Sequence, residues 1–275
     1  FKQKTAYEML RSLVGSEMCI RDRLIIMSQV KIAIAGVLGR MGQNLIESAQ
    51  SNESVAIVGV FDKSPITKDH LQSMKLNSDI ATTGDAAFDR ADVVIDFTSP
   101  SALFMFVESA IAHKTGLVVG TTGLEKKHFD LLDQASKATK LFYAPNMSLG
   151  VNSFFQIARD AANKLKDYDI EIIESHHRFK KDAPSGTAIK LGEEIVSELG
   201  RTNKNFVFDR QQQITERKKS DIGFSSIRGG NIAGEHTVIF HGEHESIEVT
   251  HRAFNRKIFS DGAINASIWL SLIHI

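Results

Sequence analysis

The sequence has 275 residues, 42% hydrophobic and 24% charged, which is typical of a soluble globular protein with one large or two modest domains. Lys and Arg number 33, as do Asp and Glu, so we expect no general electrostatic grip on nucleic acid or on a membrane surface. The apolar run of about 18 residues that a membrane-spanning helix needs is missing. Cys19 is the one cysteine, which excludes a disulfide framework and favours a cytoplasmic protein.

The first 26 residues differ from the rest of the chain. Glu8, Glu17 and Asp22 interrupt the apolar core that a signal peptide would need. The string SLVGSEMCIRDR resembles translated adapter sequence, and so does the final SLIHI. We therefore predict that residues 1–26 are a non-native leader, that the native chain starts at Met27, and that its C-terminus is truncated. The alternative is a genuine amphipathic N-terminal helix.

Short apolar runs alternate with helix-like segments from residue 30 to residue 144. The predicted strands are Val30–Ala35, Val55–Phe61 and residues 93–97, 117–119 and 141–144; the predicted helices are a segment carrying Leu45, Ile46 and Ala49, residues 102–113 and residues 125–138. Strands that alternate with helices form right-handed βαβ units and a parallel sheet that is covered on both faces. This pattern predicts a doubly wound, Rossmann-like α/β domain.

The pattern changes after Asn146. It predicts helices over residues 148–166 and 185–199, and strands over residues 170–174, Ile222–Arg228 and residues 236–241 and 246–251. The link Gly242-Glu243-His244 suggests a hairpin, so we expect an α+β domain with a largely antiparallel sheet. A last helix, residues 262–270, would return to the first domain. The predicted domains are residues 27–147 with 257–275 for dinucleotide binding, and residues 148–256 for substrate binding and oligomerisation.

A glycine-rich turn, GVLGRMG at residues 36–42, lies between the first strand and its helix. Glycines allow the backbone to approach a pyrophosphate, and the helix N-terminus offers free N–H groups. Asp62 follows the second strand, where an acidic side chain binds ribose hydroxyls in dinucleotide-binding proteins. We predict a nicotinamide dinucleotide site here; the alternative is a glycine-rich turn in a doubly wound fold that binds nothing.

Two cations accompany this turn. Arg40 lies inside it, and Lys63 follows Asp62 directly. A cation can pair with a 2′-phosphate, whereas the acid favours a free 2′-hydroxyl, so we expect both NADH and NADPH to be accepted. The alternative for Lys63 is an ordinary solvated lysine.

Further small and polar residues follow the later strands. They are Asp96-Phe97-Thr98, Gly120-Thr121-Thr122-Gly123 and Ala144-Pro145-Asn146-Met147. The carboxyl ends of parallel strands share one edge of the sheet, where ligands bind in such folds. We therefore predict that the second and third of these segments meet the nicotinamide half of the cofactor; the alternative for either one is a plain turn.

The segment ESHHRFKKDAPSGTA, residues 174–188, carries the most chemical information. Its histidines can transfer protons near neutral pH, and its cations can hold anionic groups. Ser185 suits the start of a helix, whose free N–H groups would bind a carboxylate. The combination predicts a small polyanionic substrate that receives a hydride and a proton. No third ligand at suitable spacing supports a metal site.

This segment, together with GVLGRMG, DFTSP, GTTG, APNMSLGVN and GGNIAGEHTVIFHGEHESIEVTHRA, resembles the dihydrodipicolinate reductase family from about Val30 to Trp269. The resemblance implies NAD(P)H-dependent reduction of a cyclic dicarboxylate, 4-hydroxy-tetrahydrodipicolinate, on the diaminopimelate route to lysine. It also implies a homotetramer. The competing hypotheses are a related dehydrogenase, such as an aspartate dehydrogenase, and an inactive NAD(P)-binding regulator.

The resemblance also implies a role for each matching residue. His176 takes the position of the catalytic acid/base, and Lys180 that of the second proton donor. The substrate-binding positions fall on His177, Gly186 and Thr187. The cofactor-binding positions fall on Gly36, Val37, Leu38, Gly39, Arg40, Met41, Asp62, Lys63, Gly120, Thr121, Thr122, Ala144, Pro145, Asn146 and Met147.

Overall fold

The computed structural model describes residues 29–211 and 215–272. The predicted leader, residues 1–26, lies outside the described residues, and so do residues 273–275. The chain divides into two compact units, one ending at Ser148 and resuming at Lys257, the other Leu149–Arg256. None of the described helices has both the length and the apolar character needed to cross a membrane.

The described elements are ten strands and eight α-helices, numbered here in chain order. The strands are β1 (Val30–Ala35), β2 (Val55–Phe61), β3 (Val93–Asp96), β4 (Gly116–Val119), β5 (Leu141–Tyr143), β6 (Asp169–His176), β7 (Phe206–Val207), β8 (Ile222–Arg228), β9 (Gly234–His241) and β10 (Ser246–Ala253). The helices are α1 (Arg40–Gln50), α2 (Lys68–Ser73), α3 (Gly84–Arg90), α4 (Leu103–His113), α5 (Lys126–Ala135), α6 (Leu149–Lys164), α7 (Gly186–Glu198) and α8 (Lys257–Leu272).

The first unit is a parallel sheet with the strand order β2-β1-β3-β4-β5. Alternate residues of β1 face opposite sides: Ile34 packs in a cluster with Leu45 of α1 and Ile264 of α8. Ala33 packs in the second cluster with Phe88 of α3. Both faces are therefore covered, and the predicted α/β doubly wound fold is confirmed. The chain leaves β1 and β3 in opposite directions, and ligands bind at such a switch point.

The second unit has a sheet with the order β10-β9-β6-β8-β7. Its β6-β9 and β9-β10 pairs are antiparallel, but its β6-β8 and β7-β8 pairs are parallel. The predicted antiparallel pairing is therefore present, and the sheet is mixed because it also contains two parallel pairs that were not predicted. The physical reason is α7, which lies between β6 and the next strands and supplies the long crossover that parallel pairing requires.

The sequence did not predict three short elements, which are α2, α3 and β7. Two turns of helix or two residues of strand contain too little periodicity to be recognised. The strand predicted over residues 170–174 also continues to His176. This extension matters for function because it places His176 on a rigid strand of the sheet.

Candidate active site

The glycine turn has the geometry of a phosphate-binding turn. Gly36 adopts a left-handed φ of 69°, and a side chain there would collide with Thr98. A side chain at Gly42 would collide with the backbone of Gly36 and Val37. Gly39 caps α1 without a side chain, so the first N–H groups of this helix remain available to an anion. These residues fit the pyrophosphate of a dinucleotide.

Asp62 lies beside this turn, as its predicted role requires. Its Oδ2 accepts a hydrogen bond from the backbone N–H of Leu38 at 3.1 Å. Asp62, which is predicted to bind the ribose, and the predicted phosphate-binding turn are therefore neighbours in the fold. Arg40 and Lys63 are both exposed, so their charged ends are free to reorient in solvent.

A buried carboxylate ties the loops after β3 and β4 together. Asp96 is fully buried; its Oδ1 accepts bonds from the N–H and hydroxyl of Thr98, and its Oδ2 accepts one from Thr121. Burial raises the pKa of Asp96, and these hydrogen bonds oppose the rise. Gly120 lies against the Phe97 ring with no room for a side chain. Asp96 thereby holds Thr121 at the sheet edge.

The other predicted cofactor residues lie at the same carboxyl edge of the sheet or in the core next to it. Thr122 follows β4, Met41 lies in the first turn of α1, and Pro145 and Asn146 follow β5. The side chains of Ala144 and Met147 are buried in the core. A cofactor contact by Met147 would therefore involve its backbone.

In the second unit, the buried side chains on one face of β6 are apolar in its first half and polar in its second half. Ile170 and Ile172 are buried in the core, and Glu174 and His176 continue the same alternation as buried polar residues. The His176 Nδ1 atom lies 2.6 Å from the Glu174 Oε2 atom. A carboxylate in this position fixes the orientation of the imidazole ring and leaves Nε2 as the reactive nitrogen.

Glu174 is itself held by a fork of hydrogen bonds. Arg228, which pairs with His176 across β6 and β8, donates from Nη1 to Oε2 at 2.8 Å and from Nη2 to Oε1 at 2.6 Å. The backbone N–H of Ser185 donates to Oε1 at 3.1 Å. Burial tends to raise the pKa of Glu174, but hydrogen bonds from Arg228, Ser226 and His176 outweigh it and lower the pKa to about 2. Glu174 is thus ionised at neutral pH.

His176 experiences opposing influences. Burial lowers its pKa, Glu174 opposes this change, and the charges of Lys180 and Arg228 lower it further. The net pKa lies below the ordinary value for histidine. Lys180 is near enough to act on His176, and its Nζ forms an ion pair with Asp182 Oδ2 at 2.8 Å. The two predicted proton donors are therefore within range of each other's charge.

His236 completes this cluster and was not singled out by the sequence analysis. Its ring packs edge-on against His176 with centroids 5.1 Å apart, and its Nε2 lies 2.8 Å from Ser185 Oγ. Burial, followed by the charge of His176, lowers its pKa to about 3. The alternation of His236, Val238 and Phe240, all buried, is the sequence signal that places it on the core face of β9.

The predicted substrate residues lie next to this cluster in the chain. Gly186 and Thr187 are the first residues of α7, where backbone N–H groups have no partner within the helix. Apart from the two neighbouring residues and the backbone of α7 itself, no atom of the described residues lies within 4 Å of the position that a Gly186 side chain would take. His177 follows β6, and its Nδ1 is buried without a hydrogen-bond partner in the described parts of the chain. Over those same ranges, no three potential ligands cluster in a way that would hold a metal ion.

The buried neutral state of His236 predicts a pH-dependent stability. Between its ordinary pKa of 6.5 and its folded value of about 3, the unfolded chain binds a proton at this position and the folded chain does not. The free energy of unfolding should therefore decrease by about 1.6 kcal/mol from pH 6.5 to pH 5 through this group alone. His236→Gln should flatten the pH dependence measured by urea unfolding, whereas His244→Gln, at a fully exposed loop position, should not. Parallel curves for wild type and His236→Gln would contradict this account.

Comparison with known proteins agrees with this geometry. Residues 30–147 match the family model "Dihydrodipicolinate reductase, N-terminus", and residues 150–274 match "Dihydrodipicolinate reductase, C-terminus". The 4-hydroxy-tetrahydrodipicolinate reductase of Laribacter hongkongensis (strain HLHK9) is 39% identical over 255 residues, covering 90% of this chain and 96% of that protein. The chain belongs to the dihydrodipicolinate reductase family.

Solved structures agree with the membership in this family. The dipicolinate-bound dihydrodipicolinate reductase from Paenisporosarcina sp. TG-14 aligns with a TM-score of 0.68 at 25% identity, covering 88% of this chain and 95% of that one. The scyllo-inositol dehydrogenase from Lactobacillus casei aligns with a TM-score of 0.55 at 11% identity, covering 88% of each chain. The second likeness concerns the fold alone.

Proposed function

We propose that this chain is an NAD(P)H-dependent oxidoreductase that reduces 4-hydroxy-tetrahydrodipicolinate to tetrahydrodipicolinate on the diaminopimelate route to lysine. The observation that carries the proposal is the buried His176, oriented by Glu174 and close to Lys180, in a member of the dihydrodipicolinate reductase family. A relative 39% identical carries the name of this activity. A related reductase has been solved with dipicolinate, a planar cyclic dicarboxylate, which supports the substrate class.

The reaction needs a hydride, a proton and a site for two negative charges. Loss of the substrate's hydroxyl as water gives a conjugated imine. A nicotinamide cofactor held by the glycine turn and Asp62 would supply the hydride that reduces it. The electron pair that the imine system then holds is quenched by one proton. His176, as imidazolium, donates that proton from Nε2 and is left as the neutral Nδ1–H form, hydrogen-bonded to Glu174. Lys180 holds a carboxylate and, as the second donor, replaces the proton that His176 gives up.

The start of α7 is suited to the other carboxylate. The N–H groups of Gly186 and Thr187 point out of the first turn of a 13-residue helix, where the helix dipole favours an anion. The Thr187 hydroxyl and the unpaired nitrogen of His177 offer further hydrogen bonds. We assign these residues to substrate binding, and we assign the glycine turn, Asp62 and the edge around Thr121 to the cofactor.

Cofactor oxidation in the presence of the cyclic dicarboxylate tests the function. We expect turnover with this substrate and none with aspartate or with oxaloacetate and ammonia. Turnover only with the latter compounds would favour the aspartate dehydrogenase hypothesis. Cofactor binding without turnover on any of them would favour the inactive regulator, and either result would overturn the proposal.

Lys63 allows a test of cofactor choice. Because Asp62 and Lys63 are adjacent, we expect NADH and NADPH to be used with at most about tenfold preference. Lys63→Ala should weaken NADPH binding by about 1–2 kcal/mol, as expected for loss of a charge-assisted hydrogen bond to the 2′-phosphate, and should leave NADH binding unchanged. Titration calorimetry with both cofactors measures this, with Lys68→Ala as a control lysine in α2. Equal losses for the two cofactors would exclude this role.

The family assignment supports a proposal about assembly and cellular location. We infer a cytoplasmic homotetramer. β10 supports self-association, because it is an edge strand of the described sheet and Ile247 is exposed on it; edge strands can pair with another chain. Light scattering of the purified chain measures the number of subunits.

A further inference from the structure

We propose that Glu174 and Arg228 are positioning residues for the proton transfer, forming an Arg228–Glu174–His176 relay of fixed hydrogen bonds that holds His176 with its Nε2 free to donate. This inference rests on the proposed function of His176 as the acid. It adds two residues from different strands, neither of which was assigned a role by the sequence.

The geometry favours positioning over a simple ion pair. Glu174 is 1% exposed and uses both carboxylate oxygens: Oε2 meets His176 Nδ1 and Arg228 Nη1, while Oε1 meets Arg228 Nη2 and the Ser185 N–H. With its position fixed on both oxygens, the carboxylate cannot turn away from the histidine. A bidentate arginine gives this kind of directional hold, which a lysine does not.

The same contacts set the charge state of the relay. Arg228 keeps Glu174 ionised, so Glu174 accepts the Nδ1–H of His176 instead of competing for its proton. Among the residues that the structure describes, the charged and titratable groups that act on His176 or contact its ring are Glu174 on β6, Arg228 on β8, His236 on β9 and Lys180 in the following loop. Glu174 is the one anion among these four. It is therefore the group that supports the imidazolium form against burial and two neighbouring cations.

A purely structural role makes a different prediction from the relay. Glu174 and Arg228 also hold the loop before α7, since Ser185 donates its N–H to Glu174 and Arg228 donates to the Asp182 carbonyl. If this were their only role, Glu174→Gln would loosen the loop, admit water and raise the pKa of His176 toward its ordinary value. If Glu174 supports the imidazolium, Glu174→Gln lowers that pKa, because the favourable charge is lost while the shape is kept.

The test is an NMR titration of ¹³C,¹⁵N-histidine-labelled protein. The His176 signals are assigned as those that are missing from the spectrum of the His176→Gln variant. We expect Glu174→Gln to lower the pKa of His176 by about one to two units, the usual effect of removing an opposite charge at hydrogen-bond distance. Arg228→Gln should raise it, because that cation opposes the imidazolium. Glu171→Gln is the matched control: Glu171 lies on the same strand and pairs with Arg210 and Arg217, and its variant should leave the titration unchanged.

Two readouts complete the experiment. In wild-type protein the ¹⁵N shifts should show neutral His176 protonated at Nδ1, and this holds even if Glu174→Gln does not fold. In the enzyme assay, kcat/KM of Glu174→Gln should be about tenfold lower than that of wild type at pH 8. Because His176 must be protonated to act as the acid, the high-pH decline in the kcat/KM profile should begin at a lower pH in this variant. A neutral His176 protonated at Nε2, or a pKa in Glu174→Gln that is unchanged or raised, would overturn the proposal. Lack of turnover by wild type would instead refute the proposed function, and the titration does not depend on it.

Discussion

Replacing His176 by Gln is expected to lower kcat by about two orders of magnitude while KM changes only a few-fold. Gln keeps the size and polarity of the side chain but cannot donate a proton as an imidazolium does. General acid catalysis contributes typically about 10²–10⁴-fold, and a group that acts only in the transition state lowers kcat without affecting substrate binding. Steady-state kinetics at saturating cofactor, with the cyclic dicarboxylate varied, give both constants.

The neighbouring histidine is the matched control. His177→Gln should act mostly on KM, because His177 follows β6 and, within residues 29–211 and 215–272, has no carboxylate partner like that of His176. Suppose His177→Gln abolished turnover while His176→Gln left kcat within about threefold. The two histidines would then have exchanged roles, and the orientation of His176 by Glu174 would be unrelated to catalysis.

Lys180→Ala is expected to lower kcat and raise KM together, reducing kcat/KM by about 10²–10³. A lysine here both holds a substrate carboxylate and supplies protons, and a hydrogen bond between charged groups alone contributes about 1.5–3 kcal/mol. Lys181→Ala is the control, because Lys181 is the adjacent lysine and is exposed. A Lys180→Ala enzyme with a raised KM and an unchanged kcat would restrict Lys180 to binding. An effect equal to that of Lys181→Ala would remove it from the site.

Most of the fold was predictable because the first unit obeys one local rule. Its buried parallel strands read as short apolar runs, and all but β5 end at or beside a glycine or an acidic residue, as β1 does at Gly36 and β2 at Asp62. The strand pairing of the second unit was not predictable in the same way. Whether β8 pairs with β6 in a parallel or antiparallel sense depends on the path of α7, which leaves no periodic signal in the strands themselves.

The candidate site was predictable where its residues are consecutive in sequence and not where they come together through strand pairing. His176, Lys180 and Gly186 lie within one segment, so the sequence brings them together. Arg228 and His236 reach the same cluster through the register of β8 and β9 against β6, where His176 pairs with Arg228 and Glu174 pairs with His236. Such long-range contacts become visible only when the sheet is assembled.

The most direct test of the proposed reduction follows the hydrogen that is transferred from the cofactor to the substrate. Wild-type protein is incubated with the cyclic dicarboxylate and NADH deuterated at the transferable position of its ring, and the product is analysed by mass spectrometry. We predict tetrahydrodipicolinate that carries one deuterium per molecule, with the proton supplied through His176 coming from the solvent. Unlabelled product, or cofactor oxidation without this product, would contradict the account.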